Sequence, residues 1–147
     1  MVKVAQWTTM PEDTLLGTQV RTMVELASIR RKLDDRNLVI LALIYEHASS
    51  LRELSRLIFN NHQVLAYACQ ENAAGEITLQ VYDPNLPGRD DVVIQSQPVV
   101  VAELTSPSGS RVVMGVKSTQ LVGGEFFHHV RGYFIMPYSP EKPPKEI

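Results

Sequence analysis

The amino-acid sequence predicts an α+β fold, a mainly antiparallel β-sheet with one or two helices. Three observations carry that prediction. Between residues 18 and 33, apolar side chains recur at three- and four-residue spacing, the period of one helix face. Residues 38–45 (LVILALIY) form a continuous apolar run of strand length bounded by turn formers. From residue 61 onward, short apolar or alternating runs are separated by turns rich in Gly, Pro and Asn, the pattern of consecutive antiparallel strands.

In chain order, residues 1–17 carry Val2, Val4 and Trp7 in a pattern that suits a short strand or an irregular lead-in. Met10-Pro11-Glu12-Asp13 reads as a turn. The helix starts at Thr18, a suitable N-cap, and its apolar face is Val20, Met23, Val24 and Ala27, continuing to Ile29 and Leu33. Arg30, Arg31 and Lys32 fall in its last turn, where cations complement the helix dipole. Such a trio can contact phosphate, but a solvated helix end is its commoner meaning. The run at 38–45 is apolar at every position, so it predicts a strand buried on both faces and central in the sheet. Ser50 and Glu53 have capping-box spacing. Leu51, Leu54, Leu57 and Ile58 then give one face of a short helix ending near Phe59.

Residues 61–88 (NHQVLAYACQENAAGEITLQVYDPNLPG) read as a hairpin. With the turn at residues 70–75, His62 faces Asp83, Val64 faces Val81, Ala66 faces Leu79 and Ala68 faces Ile77. The pairs after the first are all apolar, and a one-residue slip would separate the two apolar sets. Directly opposed side chains have Cβ atoms ~4.5–5.5 Å apart, within reach of an imidazole–carboxylate hydrogen bond. Further strands are predicted at 92–96, 99–104 and 111–116, with a Pro-Ser-Gly-Ser turn before the last. Gly123-Gly124 reads as a hinge or loop, and 130–137 (VRGYFIMP) as the final strand. The expected organisation is one domain over 1–138, with a Pro-rich, extended or disordered tail at 139–147.

Composition narrows the function classes. The chain has 147 residues, 44% hydrophobic and 20% charged, which is enough for a real core. A formal net charge of −2 and no basic cluster beyond residues 30–32 argue against nucleic acid as the main partner. The longest apolar run is far short of the ~20 residues that span a bilayer, and the first ten residues carry no signal-peptide apolar core. No membrane partner is expected, and a cytoplasmic location is the default. One cysteine excludes an internal disulfide and fits a reducing compartment.

His62 with Asp83 is the sharpest chemical constellation. A carboxylate that accepts the proton of one imidazole nitrogen fixes the tautomer and leaves the other nitrogen as a base. The same pair at a strand end also serves as a plain structural hydrogen bond. Cys69 lies seven residues along the strand from His62, roughly 23 Å away at ~3.3 Å per residue. Alternation places it on the opposite face, so it reads as a small packed side chain. His128 and His129 are adjacent, point to opposite faces in a strand, and have no partners at zinc spacing. No metal or cofactor is expected. His47, beside Glu46, reads as a surface residue. No phosphate loop or Gly-x-Ser-x-Gly elbow occurs. Trp7, Tyr133 and Phe134 read as core rather than as a base-stacking surface.

The segments NHQVLAY and VYDPNLPG resemble the C-terminal half of papain-like cysteine peptidases, especially the bacteriocin-processing type. There a His begins one strand and an Asp or Asn ends the next. More narrowly, the chain is similar to a bacterial and fungal group of papain-like proteins. Residues 31–33, 38–45, 61–67, 81–88, 130–134 and 138–144 carry that likeness. The resemblance implies the β-rich half of a papain-like fold, with His62 as general base and Asp83 as its orienting carboxylate. It also implies a nucleophile in a Gly-Leu-Cys-Gly-Gly-Met-type segment at a helix start, N-terminal to everything in this chain. No such segment occurs here. The expectation is therefore the base half of a cysteine hydrolase, inactive alone, partnered by a Cys-bearing segment or by itself as a homo-oligomer. The alternative is a non-catalytic interaction module on the same fold.

Overall fold

The computed structural model describes residues 2–57 and 61–137. The predicted end of the second helix near Phe59 and the Pro-rich tail lie outside the described residues. Three helices, α1 (Val2–Thr9), α2 (Thr18–Asp34) and α3 (Leu51–Leu57), accompany seven strands. These are β1 (Val39–Ile44), β2 (His62–Glu71), β3 (Ile77–Tyr82), β4 (Val92–Ser106), β5 (Gly109–Val122), β6 (Glu125–Val130) and β7 (Gly132–Ile135). The protein is α+β, with one antiparallel sheet in the order β6-β5-β4-β3-β2-β1-β7.

The edge strands β6 and β7 lie at opposite ends of that order, yet Arg131 alone joins them. Consecutive Cα atoms are ~3.8 Å apart, so the sheet must curl until its edges nearly meet. Tyr133 on β7 accordingly reaches across to β4, with its Oη 2.7 Å from Ser96 Oγ, which is in turn 2.8 Å from Ser118 Oγ on β5. The main core fills the inside of this curl with Leu41, Leu43, Val64, Ala66, Leu79, Val81, Val92, Ile94 and Val116, backed by Leu26 and Ile29 of α2. Each fully buried Leu or Ile there contributes ~1.5–3 kcal/mol relative to exposure.

Strand β1 is an interior strand buried on both faces, as its continuous apolar run predicts. The second face is covered by α1, where the lead-in was expected to be a strand or irregular. Trp7 is buried against Phe134, ring centroids 4.9 Å apart, in a cluster with Met10, Ala42 and Ile44. Eight residues are too few for a helical period to declare itself in sequence; packing of Trp7 decides the conformation. This extra element is why the helices number three rather than one or two.

Helix α2 is where predicted, but its cap and its buried face differ. Gly17 is the N-cap, and Thr18 Oγ1 instead donates to Arg131 O at 2.6 Å. Thr22 Oγ1 accepts from Tyr133 N at 3.1 Å, and Glu25 Oε2 accepts from Ile135 N at 3.0 Å. A polar stripe of α2 thus satisfies amide groups along edge strand β7, which the sheet itself cannot reach. Gly132 lets the helix approach, since a Cβ there would stand 2.9 Å from both Thr18 Cβ and Thr22 Oγ1. The expected face is only partly buried: Ile29 is in the core and Met23 and Leu33 pack against it, while Val24 is 70% exposed.

Helix α3 begins with Ser50 Oγ accepting from Glu53 N at 3.2 Å, while the Glu53 carboxylate accepts from Ser49 N and Oγ. Those bonds to Ser49 hold the Glu53 carboxyl below its usual range. Leu51, expected on the apolar face, is exposed, and Leu57 is buried. The predicted strands at 92–96 and 99–104 are one strand, β4. Strand β3 pairs with it only as far as Ser96, so Pro98 stands where one flank of β4 is an edge, the place a strand tolerates proline. Beyond it, β4 and β5 continue as a two-stranded ribbon to the Ser106–Gly109 turn. Gly123 and Gly124, with φ of 60° and 80°, form a tight hairpin turn into β6 rather than a hinge. The final strand is shorter than expected, Gly132–Ile135.

Candidate functional site

The 61–88 hairpin forms, but not in the predicted register. Its turn spans Asn72 to Glu76, pinned by Asn72 Oδ1, which accepts from Ala74 N and Glu76 N at 3.0 Å each. Leu65 pairs with Tyr82 and Ala66 with Val81, and a bulge at Tyr67 then shifts the ladder so that Cys69 pairs with Leu79. Continued to the open end, the ladder sets Asp83 beside Val64 and His62 beside Asn85. His62 and Asp83 are therefore diagonal neighbours on one face, not opposed residues. They meet all the same: His62 Nε2 donates to Asp83 Oδ1 at 2.5 Å.

Asp83 is buried, its side chain 2% exposed, and every partner is a donor. Oδ1 also accepts from Asn85 N at 2.9 Å, the Asx turn that starts Asp83-Pro84-Asn85-Leu86. Oδ2 accepts from Gln120 Nε2 at 2.9 Å, and Gln120 Oε1 accepts from Tyr45 Oη at 2.6 Å. A chain thus runs Tyr45–Gln120–Asp83–His62 across β1, β5, β3 and β2, assembled by the curl of the sheet. Burial, and secondarily the charge of Asp83, push the Tyr45 hydroxyl well above its ordinary pKa. Tyr45 therefore remains a donor, which fixes the Gln120 amide with its nitrogen toward the carboxylate.

A carboxylate only accepts, so His62 carries its proton on Nε2. In the neutral ring Nδ1 then holds the lone pair. Asn85 Nδ2 stands 3.5 Å from it, too long to hold it firmly. The imidazole is 16% exposed and lines a cavity of about 490 Å³ with Tyr45, Asn85, Phe127 and His128. His128 packs its ring on Tyr45, centroids 4.9 Å apart. His129 turns away to Glu12, Nε2 to Oε1 at 2.5 Å, and Glu12 Oε2 also lies 3.4 Å from Arg131 Nε. The paired histidines thus point to different partners, as strand alternation requires. Among the described residues no group of three or more His, Cys, Asp or Glu is placed to hold a metal ion.

Cys69 is not on the face expected. The bulge at Tyr67 rotates it onto the core side, where it packs against the main cluster and opposite Leu79. It remains seven residues along β2 from His62, and burial pushes its thiol above the ordinary range. Both facts disfavour a thiolate that His62 could serve.

Gln120 and Tyr45 are the site residues that the sequence reading does not find. A signal exists: Val116, Ser118, Gln120 and Val122 alternate inward along β5, so polar residues occupy core positions. The predicted strand stops at residue 116 and never reaches them. Comparisons with protein-family models, curated proteins and solved structures yield no match for this chain. No described helix is long and apolar enough to cross a membrane, which leaves β-barrel spans unaddressed.

Proposed function

We propose that this chain is the base-bearing half of a papain-like cysteine hydrolase, the β-rich half of such a fold. His62 is the general base, Asp83 holds its tautomer, and Gln120 with Tyr45 holds Asp83. The observation that carries this reading is the short His62 Nε2–Asp83 Oδ1 bond on an imidazole that lines an open cavity. A plain structural pair needs no cavity on its far side. In the reaction, Nδ1 takes the proton of a thiol presented by a Cys-bearing partner segment. The thiolate attacks an acyl carbon, the leaving group departs with that proton, and water hydrolyses the thioester. Alone, the chain is inactive, because its own thiol is packed away from the base.

The test pairs a generic thiol-reactive probe with light scattering on the purified chain. Cys69 labels slowly and equally in wild type and His62→Ala, and the chain self-associates or binds a partner. Labelling that depends on His62 contradicts the half-site reading.

A second reading, a non-catalytic interaction module, draws on the β4–β5 ribbon and β6. Val100, Leu104, Val112, Phe126 and Phe127 are all exposed there, more apolar surface than a lone ribbon comfortably shows. A strictly monomeric species counts against both readings. Association that persists without any thiol-dependent chemistry in the assembled complex favours the second.

A further inference from the structure

The outer face of β1 carries Ile44, Ala42 and Ile40 in sequence. Trp7 of helix α1 and Met10 just beyond it cover the first two, but that cluster does not include Ile40. There Ile40 sits directly opposite Leu65 of β2, and with Leu38, Ile135 and Met136 it floors a groove of about 940 Å³. Met136 belongs both to the cluster under α1 and to the groove, so the apolar stripe runs unbroken from one to the other. The volume lies within the ~300–1,000 Å³ usual for small-molecule sites.

The mouth of the groove is cationic. Lys32 and Arg36 line it with Asn37, and no carboxylate among the described residues does. Among the described residues neither cation forms an ion pair; the nearby helix pair uses Arg30 with Glu71 instead. Lys32 alone would be a helix-end cation of the common kind. Arg36 is different. It occupies the position just past α2 at which Arg36 N bonds Leu33 O and Asn37 N bonds Lys32 O. Its φ is 63°, the one positive φ outside glycine among the described residues, at a place where glycine is the unstrained choice. The chain accepts backbone strain there and sets a guanidinium at the groove.

We propose that this groove binds an amphipathic carboxylate, an aliphatic chain lying on Ile40, Leu65 and Met136 with its head group held by Arg36 and Lys32. Two cations that pair with no described acid complement one anion, and a guanidinium forks onto a carboxylate. The site is remote in residue content from His62 and does not rest on the hydrolase reading.

Titration calorimetry of the full chain with decanoate below its micelle concentration tests this, with decanol as the uncharged control. Decanoate binds at one site per chain, and decanol binds weaker by about tenfold or more, the loss of a charge-assisted hydrogen bond. Arg36→Gly weakens decanoate by a similar factor without lowering the thermal midpoint, since glycine relieves the strained φ. His62→Ala leaves decanoate binding unchanged. No saturable binding, equal affinity for decanol, full affinity in Arg36→Gly, or loss in His62→Ala would each overturn the assignment.

Discussion

His62 and Asp83 bond through Nε2 and Oδ1 across a diagonal of the β2–β3 ladder. Diagonal neighbours sit ~7–8 Å apart at Cα, so the bond depends on Asp83 leaning toward the strand end. Asn85 N and Gln120 Nε2 hold it there. The orientation of the imidazole is thus set by groups on three other segments.

Asp83→Asn tests that dependence. An amide presents only one accepting oxygen where the carboxylate accepts from three donors. At least one buried donor loses its partner, and the expected cost is about 1–3 kcal/mol in chemical denaturation. The neutral His62 ring also loses its preference for the Nε2–H form, visible in long-range proton–nitrogen spectra. An unchanged tautomer would mean that Asp83 does not set it.

Tyr45→Phe removes the donor that orients Gln120. Leaving Gln120 Oε1 unmet costs about 1–2 kcal/mol, and the amide becomes free to turn its oxygen to Asp83. The same hydroxyl gives an alkaline signature. Its folded pKa is raised above the unfolded value of 10.0, so the folded state keeps a proton that the unfolded state releases. The stability this gives is complete below pH 10 and declines as pH rises beyond it. Tyr133, raised by its burial, acts in the same direction. Denaturation midpoints of wild type should fall above pH 10 more steeply than those of Tyr45→Phe.

Cys69 should alkylate slowly with iodoacetamide. Burial raises its thiol above the ordinary cysteine range, so the thiolate fraction near neutrality lies below that of a free cysteine. The rate climbs only as pH passes above the ordinary thiol range, in step with a thiol rather than with an imidazole. A rate that falls in His62→Ala would place His62 in contact with it.

Gly132→Ala probes the seating of α2 on β7. A methyl group there meets Thr18 Cβ and Thr22 Oγ1 at 2.9 Å and Trp7 Cζ3 at 3.1 Å. The helix must shift or lose its bonds to Arg131 O and Tyr133 N, at about 1–3 kcal/mol. A neutral effect on the thermal midpoint would show that the helix has room to move.

The strands were legible where a run is apolar throughout or where one face is apolar and the other is not. Residues 38–45, 61–71 and 77–82 reveal themselves by pattern, and so does the helix at 18–34. The His62–Asp83 contact was legible too, although the register behind it was not. Turn placement and the Tyr67 bulge are set by Asn72 and by neighbouring strands, so they leave no mark in hydrophobic periodicity. Parity survives at the open end because the bulge lies between there and the turn. The face of α2 was read only in part: Ile29, Met23 and Leu33 meet the core, but the helix also buries Thr18 and Thr22 against strand amides. An apolar-periodicity argument cannot see a face whose partners are hydrogen bonds. Gln120 escaped for a related reason, being a polar residue inside a curl that only the assembled sheet creates.

The central claim is that His62 Nδ1 is a base waiting for a thiol, and Asn85 marks where a thiol can be put. Its side-chain nitrogen stands 3.5 Å from Nδ1 and is exposed. The measurement is the iodoacetamide rate against pH for Asn85→Cys, alone and combined with His62→Ala, with Cys69 in the same chain as the internal reference. The account predicts that the introduced thiol reacts faster than Cys69 near neutrality, with a rate that collapses without His62. Equal rates with and without His62 would contradict it and leave the pair as a structural hydrogen bond.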